Sequence, residues 1–213
     1  SWASPQATLL PDGKRLHLHH GPIDLIVGGS GETRDLCFER ATECFQNILI
    51  ELIKELDTLR LTLTSDVSFT GSVAKRMAEA ARSYTDVFVT PMAAVAGAVA
   101  DEVLAATLSG NVPRKAYVNN GGDIAFHLSE GEIFEVLSPA GLLTITSQDS
   151  ARGIATSGWQ GRSHSLGIAD AVSVVAKTAA AADVAATLIA NATNLPDHPA
   201  VGRCPAKQLS PDS

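Results

Sequence analysis

The segment Ala179–Ala192, AAAADVAATLIANA, sets one carboxylate and one hydroxyl four residues apart in an otherwise small, apolar stretch. At about 100° per residue of α-helix, Asp183 and Thr187 fall roughly 40° apart, on one face. A charged and a neutral oxygen converging from an alanine surface suit a hard cation such as Mg2+, which prefers oxygen ligands and usually completes its shell with phosphate or water. The flanking alanines let another backbone or a ligand come close. The pair also has a purely structural account: Thr187 can bond back to the carbonyl of Asp183, and Asp183 suits the early turns of a helix.

Three other constellations carry chemically useful groups. Asn119-Asn120-Gly121-Gly122-Asp123 lies between two strand-like runs, and its paired glycines would let backbone N–H groups approach a phosphate or a ring without interference from a Cβ. Asn-Gly is equally the commonest short hairpin turn. Gly153-Ile154-Ala155-Thr156-Ser157-Gly158-Trp159 reads as a strand entering a loop with two hydroxyls, followed by Ser163-His164-Ser165. His164 would titrate near neutral pH and take a proton from an attacking hydroxyl, or serve as a structural hydrogen-bonding group. His17, His19 and His20 form an HLHH run, but in a strand His17 and His19 face one side and His20 the other. Three convergent metal ligands are therefore awkward there, and the run is read as surface strand.

The elements that would position these groups follow from periodicity. RLHLHHGPIDLIV reads as two short strands around Gly21-Pro22, after a polar lead. From Glu32 to about Arg60 the residues Leu36, Phe45, Ile48, Leu49, Leu52, Ile53 and Leu56 recur at helical spacing, which predicts a long amphipathic helix packed on a sheet. A shorter helix spans Ser72 to Tyr84, DVFVTP reads as a strand ended by Pro91, and an alanine-rich helix runs from about Met92 to Leu108. KAYVNN, DIAFHL, EIFEVL, LLTITS, GIATS and DAVSVVA are short strand-like runs between turn residues, hence a mostly antiparallel sheet. The second alanine-rich helix closes it, and residues 194–213 read as an irregular tail. The fold class is α+β, as one domain over residues 1–213. VADEVLAATL against AADVAATLIA hints at two pseudo-repeated halves, about 15–110 and 111–195. In the first of these helices Asp101 and Thr107 lie on different faces, so any cation site belongs to the second.

Composition narrows the function classes. The 213 residues are 45% hydrophobic, enough for a sizeable core, and the net charge of −7 with no basic stripe argues against nucleic-acid binding. Cys37 and Cys44 lie seven residues apart in one predicted helix and cannot join there, and Cys204 stands alone. That pattern fits reduced thiols in cytoplasm. Asp101 and Glu102 interrupt the apolar stretch from Met92 to Ala100 well short of a membrane span, and the first residues lack the order of a signal peptide. The long amphipathic helix permits a homodimer.

In this order, NNGGDI, GIATSGW, a following histidine and AADVAATL resemble the ApbE-like flavin transferase family, in particular a short branch of it, over roughly residues 86–192. The resemblance implies a T-fold-like arrangement and an enzyme that uses Mg2+ and FAD to transfer FMN onto a threonine or serine hydroxyl of an acceptor protein, releasing AMP. It implies that Asp183 and Thr187 hold Mg2+, with a backbone carbonyl near Val95 in AAVAGAVAD as a further ligand. Asn120, Gly121, Gly122 and Asp123 would line the flavin nucleotide, as would Thr156, Ser157 and Gly158, and His164 would be the base.

The chain departs from the family pattern at two places. Ala96 stands where the family usually has lysine before the glycine matched by Gly97, and His164-Ser165-Leu166-Gly167-Ile168 lacks the Asp-Pro-Arg-Thr-Gly loop that usually follows the histidine. These losses bear on activity more than on fold. They define the alternatives: a non-catalytic module that binds flavin or another nucleotide, or a protein with a divergent phosphorylated or carboxylated substrate.

Overall fold

A computed structural model describes residues 3–84, 86–138, 141–157 and 171–193. Alternation of apolar and polar residues builds the first hairpin. Strands β2 (Arg15–His20) and β3 (Ile23–Gly29) pair antiparallel, and Leu16, Leu18, Ile23, Leu25 and Val27 all turn to one buried side. The HLHH run divides as the pleat requires. His17 faces outward, its Nε2 3.0 Å from Asp24 Oδ1, and His19 is exposed beside it. His20, by contrast, is buried edge-on against Phe45, so the run is only half a surface strand. Strand β1 (Gln6–Leu9), wholly exposed, pairs with β2 in what the sequence reads as a polar lead.

Among the described residues seven strands form one sheet in the order β1-β2-β3-β4-β5-β8-β9, with every pairing antiparallel. The later strands are β4 (Lys115–Asn120), β5 (Asp123–Leu128), β8 (Gly153–Ser157) and β9 (Val172–Ala176). Helices α1 (Arg34–Leu59), α2 (Ser72–Arg82), α3 (Val95–Thr107) and α4 (Ala179–Ala192) share one core with the inward residues of β2–β5. On the opposite face β6 (Ile133–Ser138) and β7 (Gly141–Thr146) form a separate ribbon. It is fastened by Phe134 stacked on Phe126, with ring centroids 4.6 Å apart. The architecture is thus α+β with a mostly antiparallel sheet and four helices, as the periodicity predicts.

The DVFVTP strand does not form. Residues 88–90 are irregular, Phe88 is exposed, and Pro91 opens a 3-10 turn over Pro91–Ala94 that delivers the chain to α3 at Val95. Proline at a first helical position has its φ preset and no N–H to waste, so it starts this element more than it ends a strand. Cys37 and Cys44 are free thiols on α1. Burial, with Glu102 and Glu51 nearby, lifts the Cys44 thiol to about 11, well above the range of a reactive thiolate. Among the described residues no helix is long and apolar enough to cross a membrane.

Candidate functional site

The site is built where α3 and α4 meet over the ends of β5 and β8. Alanine dominates both helices because their backbones approach closely. A Cβ on Gly97 of α3 would collide with the carbonyl of Ala179, and one on Gly153 of β8 would collide with the backbone of Thr178 and Ala179. The first turn of α4 is therefore wedged between a helix and a strand by two positions that only glycine can fill.

Its free amides are satisfied from two directions. The Thr178 hydroxyl accepts from the N–H of Ala181 at 3.1 Å, an N-cap within the chain. The Asp101 carboxylate of α3 accepts from the N–H groups of Ala179 and Ala180 at 3.0 and 2.9 Å. In return Asp183 of α4 accepts from the N–H of Gly97 in the first turn of α3 at 3.0 Å. Anions at the positive ends of helix dipoles are favourable, and here each helix supplies the other's. The Asn120 side chain donates to the Ala96 carbonyl at 3.1 Å and ties the β4–β5 turn to the same first turn.

The NNGGD segment is a tight hairpin. Gly121 and Gly122 adopt φ of 62° and 104°, and the Gly122 N–H donates to Asn119 Oδ1 at 2.8 Å. That amide is therefore used by the turn itself. Asp123, the first residue of β5, is buried and accepts from the Thr156 N–H, while its Oδ1 has no partner among the described residues. Ser157, at the end of β8, is buried with its Oγ likewise unpartnered. Thr156 lies on the other side of the pleat and shares a 3.1 Å hydrogen bond with Ser173. The side chains of Thr156 and Ser157 thus lie on opposite faces of the sheet. Thr187 is half-buried one turn beyond Asp183, and Val95 is the half-buried first residue of α3. Among the described residues Thr187 makes no back-bond to Asp183 of the kind that Thr193 makes to Ala190 at 2.7 Å. Gly158 and His164 lie outside the described residues.

Burial controls the electrostatics. It pushes Asp123 up to about 7, against the Thr156 N–H, which favours the charged form. Burial likewise holds Asp183 well above the ordinary carboxylate range, reinforced by the charge of Asp123 and opposed by the Gly97 and Ala96 amides. Asp101 is raised by the same cause, with the Ala180 and Ala179 amides and Arg76 opposing. Two neighbouring buried carboxylates resist ionising together unless a proton or a cation comes between them. Among the described residues no three His, Cys, Asp or Glu side chains converge as a metal site. A cation here would take its remaining ligands from hydroxyl, carbonyl or bound phosphate oxygens, which is the set that Mg2+ accepts. The all-oxygen donor set and the unpartnered Asp123 Oδ1 fit such an ion.

Sequence reasoning gave Asp101 no role in the site. The signal was in the comparison of VADEVLAATL with AADVAATLIA, which aligns Asp101 with Asp183. Equivalent acids on two close-packed helices are positioned to serve each other's termini.

Fold and site together define an α+β protein whose two alanine-rich helices bury an acidic, all-oxygen cluster against an antiparallel sheet. The chain belongs to the family described as AbpE bacteria, whose family model matches residues 7–213. It is 37% identical to the UPF0280 protein of Archaeoglobus fulgidus over 122 residues, 57% of this chain and 50% of that protein. It is 38% identical to the UPF0280 protein of Methanothermobacter thermautotrophicus over 115 residues, 51% of this chain and 44% of that one. With the UPF0280 protein of Methanococcus vannielii the identity is 39% over 136 residues, 58% and 53% of the two chains. The chain spans about half the length of the curated relatives it matches.

Proposed function

We propose that this chain is an ApbE-like, Mg2+-dependent flavin nucleotide enzyme that moves FMN from FAD to the hydroxyl of an acceptor protein. The observation that carries this reading is the buried Asp183, bonded to the first turn of α3 beside a second buried carboxylate whose Oδ1 has no partner among the described residues. Asp183, Thr187 and the Val95 carbonyl are the groups that would hold the ion, as the family resemblance implies. When bound, Mg2+ supplies charge stabilisation at the pyrophosphate.

The chain's own residues do the rest. Gly97 and Gly153 let α4 approach, Asp101 fixes its first turn, and Asn120 holds the Ala96 carbonyl next to Val95. His164 is the group offered for the proton of the acceptor hydroxyl. The acceptor oxygen bonds to the FMN phosphorus, the bond to the AMP phosphate breaks, and AMP leaves with the electron pair. Incubation with FAD, Mg2+ and a hydroxyl-bearing acceptor is expected to release AMP, and absence of turnover with any flavin nucleotide overturns the transferase reading.

A second reading is favoured by Ala96, which removes the lysine usual at that place in the resembled family. On it the chain is a binding module that retains the nucleotide site without the transfer. Tight calorimetric binding of FAD with no AMP released supports it.

A further inference from the structure

Asp123 stands on the α4 side of the sheet. It alternates with Ile124, which packs toward the β6–β7 ribbon, and shares its side with Ala125 of the helical core. The pairing of Ile124 with Ile154 and of Ala125 with Gly153 carries Asp123 opposite Ala155, which packs on Ala182 and Ala186 of α4. Asp123 therefore looks toward the helix that bears Asp183, and the two carboxylates influence each other electrostatically. Backbone donors anchor both, the Thr156 N–H for Asp123 and the Gly97 and Ala96 amides for Asp183. Asp123 is only 6% exposed, yet its Oδ1 has no protein partner among the described residues. Nor has the Oγ of Ser157, 3% exposed and also on the α4 side.

Two anchored carboxylates and a hydroxyl share a buried region in which, among the described residues, the hydroxyl has no partner and no Lys or Arg meets either acid. An uncharged ring edge would satisfy one acceptor and leave the repulsion between the acids in place. A hard divalent cation satisfies both at once.

We propose that Asp123 is a second carboxylate ligand of the cation held at Asp183, making the site a two-carboxylate pocket between β5 and α4. This rests on the cation site under Proposed function but replaces the flavin-lining role that the resemblance gives Asp123.

The test is uptake of Mn2+, which accepts the same oxygen ligands, by the full chain without flavin, followed by electron paramagnetic resonance and thermal melting. Wild type is expected to bind Mn2+ and melt higher with it. Asp123→Asn is expected to weaken binding by about tenfold or more, to melt higher than wild type without metal because the repulsion is gone, and to lose the metal-induced rise. Asp123→Ser, neutral and smaller, is expected to do the same, so that a misfolded amide variant does not decide the matter. Wild-type Mn2+ affinity in folded Asp123→Asn or Asp123→Ser overturns this assignment while leaving the cation site at Asp183 intact. No Mn2+ binding by wild type overturns both.

Discussion

Asp101 and Asp183 each cap the helix that carries the other. Asp101 of α3 accepts from Ala179 and Ala180, and Asp183 of α4 accepts from Gly97. Gly97 and Asp101 are four apart in α3, as Ala179 and Asp183 are in α4, so the two contacts exchange under a swap of the helices. The arrangement places a carboxylate among buried amides and so makes a rigid seat for a site whose other parts come from sheet ends.

Removing Asp101 should cost stability before it costs anything else. Asp101→Ala strips the acceptor from two amides in the first turn of α4, and a loss of about 2 kcal/mol or more is expected in urea unfolding. Asp101→Asn keeps one acceptor oxygen and should lose less. Equal stability of Asp101→Ala and wild type would show that the amides find other partners.

The glycine wedges make a sharper demand. Gly97→Ala and Gly153→Ala each put a Cβ into the backbone at the start of α4. Because backbone cannot swing aside as a long side chain can, each is expected to destabilise by about 3 kcal/mol and to increase amide exchange selectively in α4. A neutral result at either position would mean that α4 sits further from α3 and β8 than described.

The acid pair sets a pH dependence. Burial raises Asp123 to about 7, whereas an unfolded aspartate titrates near about 3.9. Between those values the folded chain keeps a proton that the unfolded chain has released, so stability falls as pH rises and then levels off above the folded value. The metal-free protein should therefore lose stability from about pH 4 to about pH 7, and Asp123→Asn should lose less over that interval. Parallel profiles for the two would contradict the raised Asp123.

Much of the fold was legible because burial imposes periodicity. Period-two runs marked β2 to β9, and alanine at helical spacing marked α3 and α4. DVFVTP misled because its β-branched and aromatic residues meet no neighbouring strand among the described residues, leaving Phe88 exposed and Pro91 free to begin a turn. QATL escaped notice because an edge strand exposed on every residue has no apolar rhythm. At the site, Asp183 could be singled out from its helix alone, whereas Asp101 could not. Its partners lie 78 and 79 residues away, and only packing brings them within reach. The parting of Thr156 from Ser157 follows from the pleat and was available once GIATS was read as a strand.

The most direct test of a cation-dependent flavin nucleotide site is equilibrium titration of FAD fluorescence with the full chain, with Mg2+ and with EDTA, for wild type and Asp183→Ala. The account predicts saturable binding by wild type that falls by about tenfold or more when Mg2+ is withdrawn, and the same fall in Asp183→Ala whether or not Mg2+ is present. FAD binding of equal strength in all four conditions, or no FAD binding by wild type with Mg2+, would contradict it.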